Sequence, residues 1–544
     1  MKIALAQINP TVGDIAGNCR RIASAIARAK ELGAELAVFG ELSVTGYPPR
    51  DLLSRPAFVA AAVSAVRELA QGCRGIAALV GYVRPTTRSP GRPLENVAAL
   101  LSGGAIVDEH VKTLLPTYDV FDETRYFQPG PSPEPLLLEG QNLGVSICED
   151  LWDRPALGRA LYENDPIGHL HRSGSQVIIN MSASPFQLGK VEVREDLVRR
   201  QALRTHLPII YVNQVGGNDE LIFDGGSLAV SGDGRVIGRC KSFAEDLLVI
   251  DTLGEPVRVE PVLPHIAQLA EALKLGLRDY LGKCGFKSVV LGLSGGIDSA
   301  VVATLAADAL GPEHVLGLAM PSRYSSEHSL SDAHLLAKNL GVQCIDVGIE
   351  AMHQAFERAL SPLLPKDAMD ITDQNVQARI RGVVVMGFSN ALGHMALATG
   401  NKSELATGYC TLYGDMNGGL GPIGDVPKTM VYQLARHLSG PSARIPEGSL
   451  TKPPSAELKP DQTDQDRLPP YDLLDAVLHR YIEKEQSIEE IVRDGFDAEL
   501  VRKVVRMVTY SEYKRRQAPL VLKVTGRAFG SGRRIPIACV NFGL

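Results

Sequence analysis

Three residues that together can cleave an amide lie at the ends of short apolar stretches in the first half of the chain. Glu41 follows residues 35–39, Lys112 follows residues 105–111, and Cys148 ends the stretch 143–148. A thiolate attacks an acyl carbon, a carboxylate can take the thiol proton and return it to leaving ammonia, and an ammonium group stabilises the oxyanion. The three residues are therefore candidates for a nucleophile, a general base and an oxyanion-stabilising group, whereas each one alone is compatible with an inert thiol or a solvated charge.

The sequence around these residues resembles the carbon–nitrogen hydrolase (nitrilase-like) superfamily. The matching text reads FGEL..TGYP around Glu41, K..LP.Y..FDE.R.F from Lys112 and CED.W from Cys148. The resemblance implies an α-β-β-α sandwich, hydrolysis through a thioester, and an oxyanion site completed by a backbone N–H near Glu149. From the glutaminase members it implies these glutamine-binding residues, with Glu123 facing the substrate ammonium and one or both serines holding its carboxylate with the lysine: Tyr47, Tyr118, Glu123, Ser182, Ser184 and Lys190.

A glycine-rich loop in the second half follows the apolar stretch 289–293 and opens a predicted helix. Its glycines let the backbone approach an anion, and its hydroxyls and the helix N-terminus can donate to a phosphate. No lysine follows the glycines, which disfavours the Walker type of loop. The SGGxDS pattern resembles the pyrophosphate loop of the N-type ATP pyrophosphatases. That resemblance implies ATP binding by the whole loop, with the aspartate also at a Mg²⁺ site: Ser294, Gly295, Gly296, Ile297, Asp298 and Ser299.

A second block, from residue 398 to residue 429, resembles the GTxNxSE...G..T.YGD...G..P.....K pattern of the NAD synthetases. The resemblance implies that Glu404 is a second Mg²⁺ ligand and that Thr399 and Lys428 contact ATP. It further implies an ATP contact at Arg379 and deamido-NAD⁺ contacts at two positions, Asn375 and Asp415. Residues 502–534 carry ten Lys and Arg. We expect this basic segment to contribute near substrate phosphates, because its aromatic residues are not interleaved for nucleic-acid stacking.

The elements that position these residues differ between the two halves. The first half predicts a mixed sheet, with hairpins around residues 102–104 and 232–234. The second alternates strands and helices, which predicts a doubly wound parallel sheet. The resemblance to the N-type ATP pyrophosphatases implies that this sheet is of the adenine-nucleotide α-hydrolase type. A proline-bearing stretch, 251–264, separates them, so we predict domains at 1–250 and 269–544 with a linker at 251–268. The proline-rich segment 441–470 excludes a regular helix or central strand, and it is either a loose surface loop or a lid.

Composition excludes several other classes of protein. The 544 residues are 45% hydrophobic and 22% charged, which is typical of a folded globular chain. The net charge of −6 gives no bulk attraction to nucleic acid or anionic lipid. The eight cysteines contain no CxxC pair, and no long apolar run predicts a membrane span or secretory signal. We therefore expect a cytoplasmic location and neither nucleic-acid nor membrane partners.

Taken together, the two sets of motifs resemble the glutamine-dependent NAD⁺ synthetase family over the whole chain. The resemblance implies α/β folds in both halves, and deamido-NAD⁺, ATP with Mg²⁺, and glutamine as ligands. It also implies a homo-oligomer. Two alternatives stay open at this point: another SGGxDS amidotransferase, such as an asparagine or GMP synthetase, and an inactive scaffold. The former use different glutaminases, and the intact Glu41, Lys112, Cys148, Asp298 and Glu404 disfavour the latter.

Overall fold

The apolar stretches of the first half form two six-stranded sheets, a separate two-stranded sheet and the covering helices in a computed structural model, which describes residues 1–365 and 368–539. The strands are β1 Lys2–Gln7, β2 Leu36–Val38, β3 Ala77–Pro85, β4 Leu94–Ser102, β5 Ala105–Val111, β6 Leu136–Leu138, β7 Gln141–Ile147, β8 Val177–Ser182, β9 Ile209–Asn213, β10 Val215–Asn218, β11 Leu221–Asp224, β12 Leu228–Val230, β13 Val236–Arg239 and β14 Asp246–Asp251. The helices are α1 Ile15–Glu31, α2 Pro56–Gly72, α3 Arg154–Leu157, α4 Pro166–Arg172 and α5 Lys190–Thr205.

Each of the two six-stranded sheets of this unit is mixed, as the sequence predicts. Their strand orders are β14-β1-β2-β3-β4-β5 and β13-β12-β9-β8-β7-β6. The inner strands β1, β2 and β3 run parallel, as do β7, β8 and β9, and the flanking strands pair antiparallel. Both predicted hairpins are present, as β4–β5 and β12–β13.

The layers of this unit follow from the two-residue period of a strand. Ile3 and Leu5 of β1 point into a core shared with β7, β8 and β9 of the other sheet, whereas Ala4 and Ala6 face α1 and α2. Helices α4 and α5 cover the outer face of the second sheet through another apolar cluster, which contains Leu197. The result is the predicted α-β-β-α sandwich.

The second unit begins at Pro264. Its strands are β15 Val289–Gly292, β16 Val315–Ala319, β17 Gln343–Asp346, β18 Met395–Ala396, β19 Leu420–Gly421 and β20 Leu520–Val521. Its helices are α6 His265–Lys283, α7 Ile297–Leu310, α8 Glu327–Leu340, α9 Glu350–Leu360, α10 Met369–Leu392, α11 Lys402–Thr407, α12 Lys428–Ser439, α13 Glu447–Thr451, α14 Tyr471–Leu478, α15 Ile488–Arg493, α16 Ala498–Tyr510 and α17 Glu512–Arg515.

The central sheet of the second unit is parallel, with the order β17-β16-β15-β18. Helix α10 packs on it through Val385, which contacts the cluster of Val290, Leu316 and Ala396. Helix α7 lies against β15, β16 and α6. A separate apolar cluster joins α14, α15 and α16 to α11 and β20. The doubly wound parallel architecture predicted for this half is confirmed.

Two segments differ in detail from the sequence predictions. The proline-bearing stretch after β14 is partly bonded to the first unit, since the Val257 N–H donates to the Ile237 carbonyl at 2.8 Å. Helix α6 starts at His265, inside the stretch assigned to the linker. The expectation that residues 441–470 contain no regular helix is wrong for α13. This helix of five residues fits between Pro446, at its N-cap, and Pro453.

Candidate active sites

The predicted hydrolytic residues meet at the carboxyl ends of strands in the first unit. Glu41 follows β2, Lys112 follows β5 and Cys148 follows β7. The Lys112 Nζ donates to Glu41 Oε1 at 2.6 Å and to Glu123 Oε1 at 2.8 Å. Lys112 is fully buried. Burial alone would lower the pKa of Lys112, but the Glu123 and Glu41 carboxylates raise it well above its ordinary value. The lysine therefore stays an ammonium group.

Glu41 is oriented by a residue that the sequence analysis did not single out. Asn96 on β4 donates its Nδ2 to Glu41 Oε1 at 2.7 Å, the same oxygen that accepts from Lys112. Glu41 Oε2 is buried and accepts no hydrogen bond from any residue that the structure describes. One oxygen is thus fixed, while the other is available to receive a proton.

Cys148 lies in a strained turn at the end of β7. Its φ is +44°, in the left-handed region that non-glycine residues rarely adopt, and a 3-10 turn runs from Cys148 to Leu151. Burial and the charge of Glu41 raise the pKa of the thiol, whereas Lys112 lowers it. The thiol is therefore protonated at rest, so forming the nucleophile requires a base.

Two buried carboxylates flank this centre, each held by tyrosine. Tyr47 donates to Glu123 Oε1 at 2.9 Å, and burial raises the pKa of Glu123 to about 8. Glu149, next to the cysteine, accepts from the Tyr118 hydroxyl at 3.0 Å and from the Tyr162 hydroxyl at 3.0 Å. Glu149 and Tyr162 were missed as site side chains, because only the fold brings Tyr162 back to the turn that follows β7.

The predicted carboxylate-binding residues differ in what their side chains contact. The Ser182 hydroxyl donates to Asn180 Oδ1 at 2.7 Å. Ser184 Oγ is buried and has no hydrogen-bond partner within the described chain. Lys190, at the start of α5, lies with its Nζ 5.4 Å from the centroid of the Trp152 ring. Of the two serine hydroxyls, that of Ser184 is therefore the one without a hydrogen-bond partner among the described residues.

The glycine-rich loop of the second unit connects β15 to α7. Gly295 has φ +75°, and a Cβ built there would lie 2.2 Å from the Ser329 carbonyl oxygen, so only glycine fits. The Ser294 and Ser299 hydroxyls are 3.2 Å apart, and Gly296 N–H donates to Ser294 Oγ at 3.3 Å. These contacts hold the loop open ahead of the helix N-terminus, where backbone N–H groups can meet an anion.

A buried lysine joins the loop to the second motif block. The Lys428 ammonium bonds to the Asp298 carboxylate and lies 3.8 Å from Glu404 Oε1. Asn401 caps α11, exchanging hydrogen bonds with Glu404, and its Nδ2 donates to Asp298 at 3.0 Å. Burial and the charge of Asp298 raise the pKa of Glu404 to about 8. Two carboxylates from different motifs therefore face one another across a single ammonium group.

A cavity of about 320 Å³ opens beside these residues. Most of the predicted nucleotide-binding residues line it: Ser294, Gly296, Ile297, Asp298, Ser299, Thr399, Glu404, Asp415 and Lys428. Part of the proline-rich segment, residues 452–458, and Asp464 also line it, so this segment contributes to the cavity wall.

Three predicted residues do not line the cavity. Gly295 contributes its positive φ, which lets the loop pass close to the Ser329 carbonyl. Arg379 donates its Nε to the Leu412 carbonyl at 3.1 Å. Asn375 accepts from the Thr411 hydroxyl at 2.8 Å, and Thr411 N–H donates to Asp415 at 2.6 Å. Arg379 and Asn375 therefore bond to the loop that carries Asp415 and do not face the cavity.

Arg381, two residues beyond Arg379, is a cavity residue that the sequence analysis missed. Its Nε donates to the Met320 carbonyl at 3.1 Å, and burial lowers its pKa to about 10. A helical period would have found it, because Ala378, Gly382 and Val385 on the same face of α10 also line the cavity. A desolvated guanidinium there is suited to a phosphate.

A buried thiol centre in one unit and a cavity with a phosphate loop in the other are typical of a two-domain ligase that obtains its nitrogen by hydrolysing an amide. Residues 2–253 match the carbon–nitrogen hydrolase family and residues 269–518 match the NAD synthase family. The chain is 49% identical to a glutamine-dependent NAD(+) synthetase of Synechocystis sp. and 40% identical to that of Thermotoga maritima. The alignments cover 98% of both chains in the first case, and 99% of this chain and 98% of the relative in the second.

A solved structure is similar over the same length. It is the glutamine-dependent NAD+ synthetase of Acinetobacter baumannii in complex with ADP, at 38% identity and a TM-score of 0.78, covering 98% of each chain. The chain belongs to the glutamine-dependent NAD⁺ synthetases. Among the described residues, no helix combines the length and apolarity that a membrane crossing requires.

Proposed function

We propose that the two sites carry out successive halves of one amidation, in which glutamine supplies the nitrogen that converts deamido-NAD⁺ to NAD⁺. In the first unit, Glu41 takes the proton of Cys148 through its available oxygen, Oε2, and the thiolate attacks the glutamine amide. Lys112, held between Glu41 and Glu123, stabilises the oxyanion. Glu41 then returns the proton to the leaving ammonia, and water hydrolyses the thioester to glutamate.

Glutamine binding is assigned to the side chains around the thiol. Tyr47 and Tyr118 form the wall, and Glu123 stays the predicted partner of the substrate ammonium. The substrate carboxylate is assigned to Ser182 or Ser184 with Lys190. The free hydroxyl of Ser184 supports Ser184 over Ser182.

In the second unit we assign ATP to the loop of residues 294–299, with Thr399, Lys428 and Arg381 as further contacts. The nicotinate carboxylate attacks the α-phosphate of ATP, the α–β bond breaks and pyrophosphate leaves. Ammonia then displaces AMP from the acyl adenylate, which forms the amide. Adenylation is required because oxide is too poor a leaving group for ammonia to displace. We keep Asp415 as the contact for the dinucleotide, with Asn375 and Arg379 supporting its loop.

Asp298 and Glu404 fit a divalent cation. Both are cavity-lining carboxylates, and the hard oxygen ligands of Asp and Glu are those that Mg²⁺ prefers. A Mg²⁺ ion held by these two carboxylates would supply positive charge against the phosphates of ATP. Lys428, whose ammonium group bonds to Asp298, would add a second positive charge at the same place. We further propose a cytoplasmic homo-oligomer.

The observation that supports this proposal most strongly is the buried Glu41–Lys112–Glu123 group beside Cys148. The variant Cys148→Ala tests the proposed role of the thiol. We expect glutamine-dependent NAD⁺ formation to fall by at least about a thousandfold, because the nucleophile is lost. Ammonium-dependent formation stays near the wild-type rate, because the second unit is untouched. The measurement is NAD⁺ production from deamido-NAD⁺ and ATP with either nitrogen donor.

Cys240→Ala is the matched control, since Cys240 is an equally buried thiol of the inner core. It should retain both activities. Loss of ammonium-dependent synthesis in Cys148→Ala would contradict the assignment of the two roles to separate units.

A further inference from the structure

The N-terminus of α12 lacks a cap of its own. The residue before Lys428 is Pro427, whose side chain cannot accept a hydrogen bond, and none is made there. The first N–H groups of a helix have no partner within the helix, so a buried start needs acceptors from elsewhere. This start matters because its first residue, Lys428, carries the ammonium group that contacts Asp298.

Side chains from two other helices supply those acceptors. The Lys428 N–H donates to Ser403 Oγ of α11 at 2.9 Å, and the Ser403 hydroxyl donates to Asp475 Oδ1 of α14 at 2.5 Å. Asp475 Oδ2 accepts from the Thr429 N–H at 2.9 Å and from the Thr429 hydroxyl at 2.8 Å. A carboxylate at this position also interacts favourably with the helix dipole of α12.

Asp475 thus bonds to the immediate chain neighbours of two site residues. Ser403 precedes Glu404 on α11, and Thr429 follows Lys428 on α12. The Asp475 carboxylate thus bridges the two helices beside the direct bond from Lys428 N–H to Ser403 Oγ, and in this arrangement Lys428 Nζ lies 3.8 Å from Glu404 Oε1. Both Ser403 and Lys428 are buried, so solvent cannot replace the bonds without the helices moving apart.

We propose that Asp475 is a positioning residue of the nucleotide site, fixing Glu404 and Lys428 relative to each other so that both face the phosphates and the cation of bound ATP. The proposal rests on the roles assigned to Glu404 and Lys428 above. Asp475 itself contacts neither substrate nor reacting atoms, and it acts through Ser403 and Thr429.

Asp475→Ala and Asp475→Asn test this role in the full-length enzyme. We expect Asp475→Ala to weaken the binding of a non-hydrolysable ATP analogue by about tenfold, because it removes three hydrogen bonds to a charged acceptor. The same variant raises the Mg²⁺ concentration needed for half-maximal binding. Asparagine keeps one acceptor oxygen for Thr429 but cannot accept from Ser403, so Asp475→Asn falls between wild type and alanine. Titration calorimetry measures both quantities.

Kinetics separate positioning from a merely structural role. With ammonium as donor, Asp475→Ala should raise KM for ATP and shift its Mg²⁺ dependence, while glutamine hydrolysis stays within about twofold of wild type. Asp472→Ala is the matched control, because Asp472 is an exposed carboxylate on the same helix. It should leave every quantity unchanged. Ser403→Ala should reproduce part of the effect and add little to Asp475→Ala.

The proposal is overturned if Asp475→Ala lowers the melting temperature yet leaves ATP-analogue affinity, the Mg²⁺ midpoint and KM unchanged. Should that variant fail to fold, the same criteria apply to Asp475→Asn and Ser403→Ala. The ATP-analogue binding of two further variants, Glu404→Gln and Lys428→Met, is measured in parallel. If these two bind the analogue normally, the proposed site roles fail, whatever the Asp475 variants do. If they bind weakly and the Asp475 variants do not, only the positioning role fails.

Discussion

At the scale of single residues, each site places one buried lysine ammonium between two carboxylates. Lys112 contacts Glu41 and Glu123, and Lys428 bonds to Asp298 and lies near Glu404. One positive charge cannot fully compensate two negative ones that are largely removed from solvent. Desolvation therefore raises the pKa of one carboxyl in each group, Glu123 and Glu404, to about 8. Such groups cost folding free energy, which indicates that function retains them.

The raised pKa of Glu404 predicts a pH-dependent need for Mg²⁺. Below about pH 8 a proton occupies the carboxyl and competes with the cation, so the Mg²⁺ midpoint for ATP-analogue binding should fall as pH rises from 7 to 8. The change is at most about tenfold per pH unit and levels off above the pKa. Glu404→Gln should flatten this dependence. Equal midpoints at pH 7 and pH 8.5 in the wild type would refute the prediction.

Sequence could identify the residues that carry the chemistry but not their supporting partners. Cys148, Lys112 and Glu41 lie in short sequence motifs of the family, and these motifs identify them. Asn96 lies in none of these motifs, and the CED.W motif does not reveal that the Glu149 side chain accepts hydrogen bonds from Tyr118 and Tyr162. Helical periodicity places Arg381 rather than Arg379 on the face of α10 that lines the cavity, whereas the motif predicts the helix but not its orientation.

At the scale of elements, the phosphate loop depends on close approach between β15–α7 and α8. Gly295 combines a positive φ with a position directly against the Ser329 backbone. The SGG text predicts this turn from local sequence alone. The start of α12 is the opposite case, because Pro427 gives no capping signal and the acceptors come from α11 and α14. Turn and capping rules predict an element correctly when its own residues bond to its terminal backbone groups. They fail when the hydrogen-bond acceptors come from an element that is distant in sequence.

Gly295→Ala should therefore damage both stability and nucleotide binding. The left-handed conformation costs about 1–3 kcal/mol for a residue with a Cβ, before the clash with the Ser329 carbonyl is added. We expect a lower melting temperature, loss of ATP-analogue binding and retained glutamine hydrolysis. Thermal unfolding and calorimetry measure the first two.

Gly387→Ala provides the comparison for that variant. Gly387 lies inside α10, and a Cβ there meets no atom within 4 Å. Alanine should stabilise the helix by about 0.5–1 kcal/mol. A Gly295→Ala protein as stable and as active as wild type would show that the loop tolerates a Cβ.

At the scale of the whole molecule, one chain holds a site that releases ammonia and a site that consumes it. Ammonia is mostly protonated in neutral water and is then not nucleophilic. Transfer within the protein would keep it reactive, which gives the fusion of two domains a chemical reason. Strand and helix patterns predicted the mixed sheet of the first half and the parallel sheet of the second. The α-β-β-α sandwich was implied by the family resemblance, and the path of ammonia has no sequence pattern.

Isotope competition tests this transfer. With amide-¹⁵N glutamine and a large excess of unlabelled ammonium, we expect the NAD⁺ formed under glutamine-saturating conditions to carry mostly ¹⁵N, as measured by mass spectrometry. Cys148→Ala under the same conditions should incorporate only unlabelled nitrogen. Full equilibration of the label with the solvent pool in the wild type would rule out protected transfer.

The nucleotide site is also tied to residues that are translated late. Strand β20 pairs with β19 beside the cavity, and Asp425 accepts hydrogen bonds from the N–H groups of Val524 and Thr525. Asp475, which accepts hydrogen bonds at the N-terminus of α12, is likewise made after the phosphate loop, Asp298 and Glu404. A nascent chain that has not reached Thr525 therefore has the loop without its supports. On the ribosome, incomplete chains should therefore be unable to use ATP for adenylation, although the glutamine-hydrolysing unit is already fully synthesised.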